Sequence, residues 1–286
     1  MRTVSFRLGD RTYDLTTRVL VLGILNRTPD SFYDHGATFE LDALLRRADQ
    51  LVADGADVLD VGGVKAGPGP EVGEEEELDR VMPAIEALRA RFETPLSVDT
   101  WRASVLEAAC RAGVVLGNDI SGLGDPAYAP TAAAHDASVV ITHIRLLPRV
   151  ADPTPHYDDL VGEVTEFLLQ RAGTAEAAGV TPEQIALDAG FDLGKTPPQS
   201  AVLLRETPAL ASRGYAVLLS ASNKGFLGEL LGLPIDDRRD ASLAAAAYGV
   251  AHGARLVRVH DVLGTVRVCR MVEAILQVEH DGAAAA

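Results

Sequence analysis

The chain has 286 residues, of which 47% are hydrophobic and 23% are charged, so it can bury a large core without disulfides or structural metals. Its formal net charge of −15 at pH 7 excludes a general nucleic-acid or anionic-membrane surface, because both need a basic face. The first residues lack the apolar core of a signal peptide, and no stretch approaches the roughly 18 apolar residues of a transmembrane helix. We therefore expect a cytoplasmic protein with no nucleic-acid or membrane partner.

The N-terminal residues predict a β-hairpin. Apolar and polar positions alternate over residues 3–16, as at Val4, Phe6 and Leu8, and Gly9-Asp10 is a turn signal. Two short antiparallel strands should therefore precede the main fold.

From residue 18 onward, short runs rich in β-branched residues alternate with segments of helical periodicity. The eight runs are 19–26, 56–61, 95–100, 114–119, 137–143, 184–190, 215–222 and 255–261. This alternation predicts an α/β fold with a parallel sheet covered by helices, and eight strands favour a (β/α)8 TIM barrel over an open doubly wound sheet. We predict one barrel domain over residues 1–280 and a disordered tail over residues 281–286.

Polar residues end the predicted strands. They are Asn26, Asp60, Asp99, Asn118, His143, Asp188, Lys224 and Arg258. A single polar strand end is common because a loop begins there. Eight together predict a binding or catalytic site, since active sites of barrels occupy the rim formed by the C-terminal ends of the strands.

Several strand ends carry longer motifs. Residues 23–32 read GILNRTPDSF, and later strand ends read SVDT at 97–100, NDISG at 118–122, LDAG at 187–190 and RVHDV at 258–262. With these motifs the chain resembles the dihydropteroate synthase family from about residue 19 to residue 276. The resemblance implies a pterin pocket at the barrel rim.

Residue by residue, the resemblance implies that Asp99, Asn118, Asp188, Lys224 and Arg258 bind the pterin ring. Buried carboxylates and an amide suit the mixed donor and acceptor edge of such a ring, because each group left unpaired there would be costly. An alternative for the same residues is a structural ion network in which the aspartates pair with Lys224 and Arg258.

The resemblance also implies catalytic roles. Lys224, Arg258 and His260 are the candidate catalytic residues, with Arg258 and His260 holding the pyrophosphate of the substrate. Asn26 is the candidate ligand of Mg²⁺, an ion that prefers oxygen ligands and is often shared with substrate phosphates. Magnesium is thus the one cofactor that the resemblance implies.

Two loops depart from the family pattern. The second loop of the family reads GGESTRPG, whereas residues 62–69 read GGVKAGPG, with Lys65 in place of serine and Gly67 in place of arginine. The seventh loop reads Ser-Arg-Lys in the family and has Asn223 in place of arginine here. Lesser departures are Thr142, which replaces a customary methionine, and Asp192, which replaces glycine.

The loss of two arginines predicts a homologue of folate-type metabolism that has very weak or no synthase activity and keeps part of a pterin pocket. If Lys65 supplies a missing cation, the alternative is an active synthase that condenses hydroxymethyl-dihydropterin pyrophosphate with p-aminobenzoate. A second alternative is a pterin-binding or other anionic-substrate transferase.

Further partners follow from the resemblance. They are a pterin-type small molecule, p-aminobenzoate with its sulfonamide or sulfone analogues, and a second copy of the chain. The homodimer is expected through helices near the C-terminal end, which carry the small apolar run 241–247 and a pattern of larger apolar residues at Val266, Val268, Met271, Ile275 and Leu276.

Overall fold

The structure, a computed structural model, describes residues 4–28 and 40–284, with side chains up to residue 278. Strands β1 (Ser5–Leu8) and β2 (Arg11–Asp14) pair antiparallel and confirm the predicted hairpin. They form a two-stranded sheet of their own, separate from the strands that follow.

The remaining strands close into a barrel in which each strand runs parallel to its neighbours. They are β3 (Leu20–Asn26), β4 (Val58–Gly62), β5 (Leu96–Asp99), β6 (Leu116–Asp119), β7 (Ser138–Thr142), β8 (Ile185–Asp188), β9 (Ala216–Leu219) and β10 (Leu256–Val259). The order is sequential from β3 to β10, and β10 pairs with β3 to close the circle. The predicted (β/α)8 TIM barrel is confirmed.

Helices surround the barrel. They are α1 (Leu41–Ala53), α2 (Glu74–Arg91), α3 (Ala103–Arg111), α4 (Tyr128–Ala134), α5 (Leu160–Ala177), α6 (Pro197–Arg205), α7 (Thr207–Ala211), α8 (Gly225–Leu231), α9 (Arg239–Ala251) and α10 (Val262–Ala284). Helix α10 continues through the first four residues of the segment predicted as a tail. Among the described residues, none of the helices is both long and apolar enough to span a membrane.

Local sequence explains where these helices begin and which face they bury. In α1 the spacing of Leu44, Ala48 and Leu51 places three buried side chains on one face, which packs on the barrel. Helix α6 begins at Pro197, and a capping box of Thr196 and Gln199 satisfies backbone amides at its first turn.

The interior of the barrel is apolar at one end and polar at the other. Its apolar part is built from Leu20, Leu22, Val58, Leu116, Val140, Ala186, Ala216, Leu218 and Leu256. Phe6, Leu8 and Leu15 of the hairpin segment pack against these side chains and form the floor of the barrel. The guanidinium of Arg255 fixes the floor by donating to the carbonyl oxygen of Leu15 at 2.9 Å.

Candidate functional site

On six of the barrel strands the polar end of the interior lies two residues beyond the apolar layer. Because residues i and i+2 of a strand share a face, Val58 is followed on the inner face by Asp60, and Val140 by Thr142. By the same rule, Asn118 lies on the inner face of β6 and Asp188 on that of β8. Ser220 follows the inner face of β9, and Arg258 lies on that of β10. The alternation of the strands therefore gathers the polar side chains at the C-terminal mouth.

Arg258 lies at the centre of this mouth between two carboxylates. Its Nε donates to Asp60 Oδ2 at 2.6 Å, and its Nη2 donates to Asp99 Oδ2 at 2.7 Å. The side chain of Asp60 is fully buried, whereas those of Asp99 and Arg258 are 16% and 14% exposed. The structure thus contains part of the ion network considered as an alternative, with Asp60 as a partner that the sequence placed at the rim but not in this network.

Two carboxylates share one guanidinium, so the negative charge of the cluster exceeds the positive charge. Burial and the neighbouring charge of Asp60 raise the pKa of Asp99 to about 7, although Arg258 acts in the opposite direction. Burial by itself lowers the pKa of Arg258, but Asp60 and Asp99 more than reverse this and raise it. We infer that one proton is held within the cluster near neutral pH.

This proton predicts a dependence of stability on pH. The folded-state pKa of Asp99, about 7, lies above the usual 3.8 of an aspartate, so its stabilising contribution is complete below about pH 4 and is lost as the pH rises through 7. Relative to an Asp99→Asn variant, the wild type should lose free energy of unfolding between pH 4 and 8, with a slope of up to about 1.4 kcal/mol per pH unit.

Urea unfolding at several pH values measures this difference. Asp158→Asn is the matched control, because the side chain of Asp158 is 97% exposed, and this variant should follow the wild-type curve. Parallel curves for wild type and Asp99→Asn across this range would contradict the shared proton.

A cavity of about 50 Å³ lies beside the cluster, and its lining includes all five residues predicted to bind the ring. Asp188 is 4% exposed, and its Oδ1 accepts a hydrogen bond from the Gly190 amide at 2.8 Å, which leaves Oδ2 for a ligand. Burial raises the pKa of this carboxyl, while Lys224 lowers it. The structure therefore brings the predicted ring-binding residues together around one space.

His260 lies just beyond β10 and is oriented by Ser222. The backbone amide of His260 donates to Ser222 Oγ at 3.2 Å, and Ser222 Oγ lies 3.0 Å from His260 Nδ1. These two contacts to one hydroxyl fix the orientation of the imidazole, and the tautomer of the ring sets which of Ser222 Oγ and His260 Nδ1 donates.

Asn26 ends β3 and lies near the barrel interior. Its Oδ1 would be 3.9 Å from a Cβ built on Gly62, and Asp99 Oδ2 would be 3.6 Å from the same point. The next residues of that loop, Pro29 to Phe32, lie outside the described residues. Within the described part of the chain, no group of three or more His, Cys, Asp or Glu side chains is arranged to hold a metal ion.

The second loop is held by an arginine from another loop. Arg149, between β7 and α5, donates through Nη1 to the carbonyl oxygen of Lys65 at 2.8 Å and through Nη2 to that of Pro70, and its amide donates to the carbonyl of Ala66 at 3.1 Å. Gly67 offers no side chain, and the nearest atom to a Cβ built there is Lys65 Cε at 3.8 Å.

We predict that Arg149→Ala loosens the second loop, since two backbone carbonyl oxygens would lose their charged donor. Cleavage after Glu71 by a Glu-specific protease should become several-fold faster, while the melting temperature changes little because loops open locally. Arg145→Ala is the control, because Arg145 pairs with Asp152 of its own loop. Equal cleavage rates in the two variants would contradict the role of Arg149.

In the seventh loop, the side chain of Asn223, which stands in place of the family's arginine, is turned away from the cavity. Asn223 adopts a positive φ of 57° and is 6% exposed, and its Oδ1 accepts a hydrogen bond from Ser242 Oγ at 3.3 Å. Asp192 supports the next helix, because its carboxylate accepts from the amides of Gly225 at 2.6 Å and Phe226 at 3.2 Å. Lys224, which follows Asn223, lines the cavity.

One polar strand end has a different location from the one expected. His143 packs edge-on against Phe167 of α5, with ring centroids 4.8 Å apart, and its Nδ1 lies 2.8 Å from Lys195 Nζ. Burial and the nearby ammonium lower the pKa of His143 to about 3, while burial lowers that of Lys195 to about 7. The residue of β7 that lines the cavity is its neighbour Thr142.

Known proteins resemble this chain over most of its length. A family model described as pterin binding enzyme matches residues 22–260. A protein named inactive dihydropteroate synthase 2 from Mycobacterium leprae is 44% identical over 268 residues, covering 90% of this chain and 91% of its own. A dihydropteroate synthase from Synechocystis sp. is 39% identical over 271 residues, covering 94% of each chain. The crystal structure of the Yersinia pestis dihydropteroate synthase with a sulfonamide drug complex has a TM-score of 0.91 at 37% identity, covering 96% of this chain and 100% of the other.

Proposed function

This chain belongs to the pterin-binding enzyme family, and on that premise we propose that it binds a pterin-type ring at the barrel mouth and has very weak or no synthase activity. It is a homologue of dihydropteroate synthase. The observation that carries the proposal is the convergence of Asp99, Asn118, Asp188, Lys224 and Arg258 on one cavity.

The chemistry of these side chains suits a pterin. The ring edge presents an amino group and a ring N–H beside a carbonyl oxygen, so it needs acceptors next to a donor. Asp188 offers an acceptor, Asn118 offers both functions, and Lys224 offers a donor. Because these groups are withdrawn from water, a ring that leaves one of them unpaired binds much more weakly, which makes the pocket selective.

Weak or absent turnover follows from the two loops. Position 67 has no side chain, and Asn223 is bound to Ser242 instead of facing the cavity. Neither loop therefore supplies a guanidinium that could bind the pyrophosphate leaving group or hold a loop closed over the substrate. Arg258, the remaining arginine of the site, is already paired with Asp60 and Asp99.

Magnesium belongs to this proposal only as an ion that arrives with the substrate. Asn26 contributes one amide oxygen, and a single such ligand fits Mg²⁺ only when phosphate oxygens and water supply the others. In that case the ion would neutralise charge on the pyrophosphate. His260 and Arg258 would bind the same group from the C-terminal end of β10.

A second candidate, an active synthase, has one observation in its favour. The side chain of Lys65 extends toward position 67, so that Cε lies 3.8 Å from where a Cβ of that residue would be. A lysine ammonium there is a point charge without the paired donors of a guanidinium. In this candidate, p-aminobenzoate or its sulfonamide and sulfone analogues would bind beneath the second loop.

We also propose a homodimer that uses α10. Met271, Ile275 and Val278 lie at helical spacing and are 62%, 48% and 73% exposed, so they form an apolar stripe on the surface. Ala245 and Ala246 of α9, which the sequence pattern included in the interface, are instead buried in the core of this chain. Light scattering at micromolar concentration tests the proposal, and a monomer would contradict it.

Calorimetric titration with 6-hydroxymethylpterin, beside a turnover assay, tests the main proposal. We expect micromolar or tighter binding by the wild type, loss of most binding in Asp188→Asn, and unchanged binding in the exposed control Asp158→Asn. The assay with hydroxymethyl-dihydropterin pyrophosphate, p-aminobenzoate and Mg²⁺ should show negligible product. Absence of pterin binding by the wild type would overturn the proposal, and ready turnover would favour the second candidate.

A further inference from the structure

Thr142 is a polar side chain on the inner face of the mouth that belongs neither to the ion cluster nor to the predicted ring contacts. It ends β7, lines the cavity and is 2% exposed. Among the described residues its Oγ1 has no hydrogen-bond partner, although it is withdrawn from solvent. The methyl group is directed toward Gly190, since Cγ2 would lie 3.2 Å from a Cβ built there.

The position of Thr142 in the barrel indicates which groups lie beside its hydroxyl. The register of β7 pairs Thr142 with Asp188 on one side, while Val140, one inner-face position below, pairs with Asn118 on the other. Thr142 therefore lies between the carboxylate and the amide that face the same cavity. Three adjacent strands present a continuous polar edge along one wall.

An unpartnered buried hydroxyl is unfavourable in the ligand-free chain, because it has lost its bonds to water without replacing them. Valine has the same shape and would avoid that cost. The hydroxyl needs only a rotation about χ1 to exchange places with its methyl group, and threonine populates more than one such rotamer. A ligand bound in the cavity would give this hydroxyl a hydrogen-bond partner.

We infer that Thr142 is a specificity-determining residue of this pocket, whose hydroxyl binds a polar atom of the ring between the groups held by Asn118 and Asp188. This inference rests on the proposed function. It narrows the ligand class to fused heterocycles that carry three successive hydrogen-bonding groups on one edge, and it disfavours rings that have carbon and hydrogen at the middle position.

The test uses the full chain and three variants. Thr142→Val removes the hydroxyl and keeps the shape, Thr142→Ser keeps the hydroxyl, and Thr165→Val removes the hydroxyl of a buried threonine on α5 that does not line this cavity. Affinity for 6-hydroxymethylpterin is measured by calorimetry, and the melting temperature is measured without ligand.

We expect Thr142→Val to bind about tenfold more weakly, which corresponds to the loss of one hydrogen bond, while its ligand-free melting temperature stays the same or rises. Thr142→Ser and Thr165→Val should keep wild-type affinity. This opposite response of affinity and stability distinguishes a ligand contact from a structural hydroxyl, whose removal would lower both.

Three outcomes overturn the inference. Unchanged affinity in Thr142→Val overturns it and leaves the proposed function intact. A loss of melting temperature that accompanies the loss of affinity assigns the hydroxyl a structural role. Failure of the wild type to bind the pterin overturns the proposed function and this inference together.

Discussion

Replacing Arg258 with methionine should lower the free energy of unfolding by about 3–5 kcal/mol at pH 8, because two buried carboxylates would lose the cation that donates to both of them. Asp60 is fully buried and Asp99 is 16% exposed, so water cannot substitute for the guanidinium. The loss should be smaller at pH 5, where Asp99 takes up a proton. Urea unfolding at both pH values measures it.

A double-mutant cycle identifies the cause. Asp60→Asn removes one of the two charges, so the Asp60→Asn/Arg258→Met double variant should be less destabilised than the sum of the two single variants. Arg258→Lys keeps the charge but not the two-pronged geometry, and it should lie between wild type and methionine. Additive effects throughout the cycle would show that Arg258 contributes by packing and not by compensating charge.

The second large effect concerns synthesis of dihydropteroate. Each charge-assisted hydrogen bond contributes about 1.5–3 kcal/mol, so the absence of two arginines should slow the reaction by on the order of 10²- to 10⁴-fold relative to a complete site. Installing them together as Gly67→Arg and Asn223→Arg, with Lys65→Ser and Ala66→Thr, should recover much of this rate. Single substitutions should recover little, because groups that close a site together are non-additive.

The structure guides the choice of these substitutions. Position 67 is open, since the nearest atom to a new Cβ is 3.8 Å away. Val64 and Asn223 are both 6% exposed, so a charged side chain at either position is unfavourable unless it turns into the mouth. Val64→Glu is therefore left out of the first variant, which limits this cost to position 223. Gly73→Arg, at a position of the same segment with nothing within 4 Å of its Cβ, controls for added charge alone.

The assay has a clear contrary result. Turnover by the unmodified chain of about 0.1 s⁻¹ or more, within the range of ordinary enzymes, would show that the site is complete without the two arginines. Lys65→Met should then abolish that turnover, since Lys65 is the cation nearest to position 67 among the residues described around it.

Sequence reasoning was strongest where short-range patterns determine structure. Alternating β-branched runs and helical segments predicted each barrel strand within a few residues, and the family motifs predicted the residues around the cavity. It was weaker in deciding which of two neighbouring polar residues faces inward. A shift of one residue along a strand exchanges its two faces. For this reason the sequence predicts His143 at the rim, whereas Thr142 lines the cavity and His143 packs against Phe167.

Such patterns do not predict contacts between residues that are far apart in sequence. The pairing of Asp60 with Arg258 joins residues 198 positions apart, and it depends on the closure of the barrel, which brings β10 beside β3 and within one strand of β4. The contacts of Arg149 with the second loop likewise depend on where two loops meet above the strands. Neither composition nor periodicity indicates which of these distant residues come into contact.

The floor of the barrel has a consequence for how the chain folds. The hairpin leaves the ribosome before the barrel strands, yet Phe6, Leu8 and Leu15 pack in one cluster with Leu218 and Leu256, which are synthesised about 200 residues later. Docking of the hairpin must therefore wait until β9 and β10 are made, and closure of so long a loop is slow. Until then its apolar side chains stay exposed to other nascent chains, and such exposure during synthesis favours aggregation.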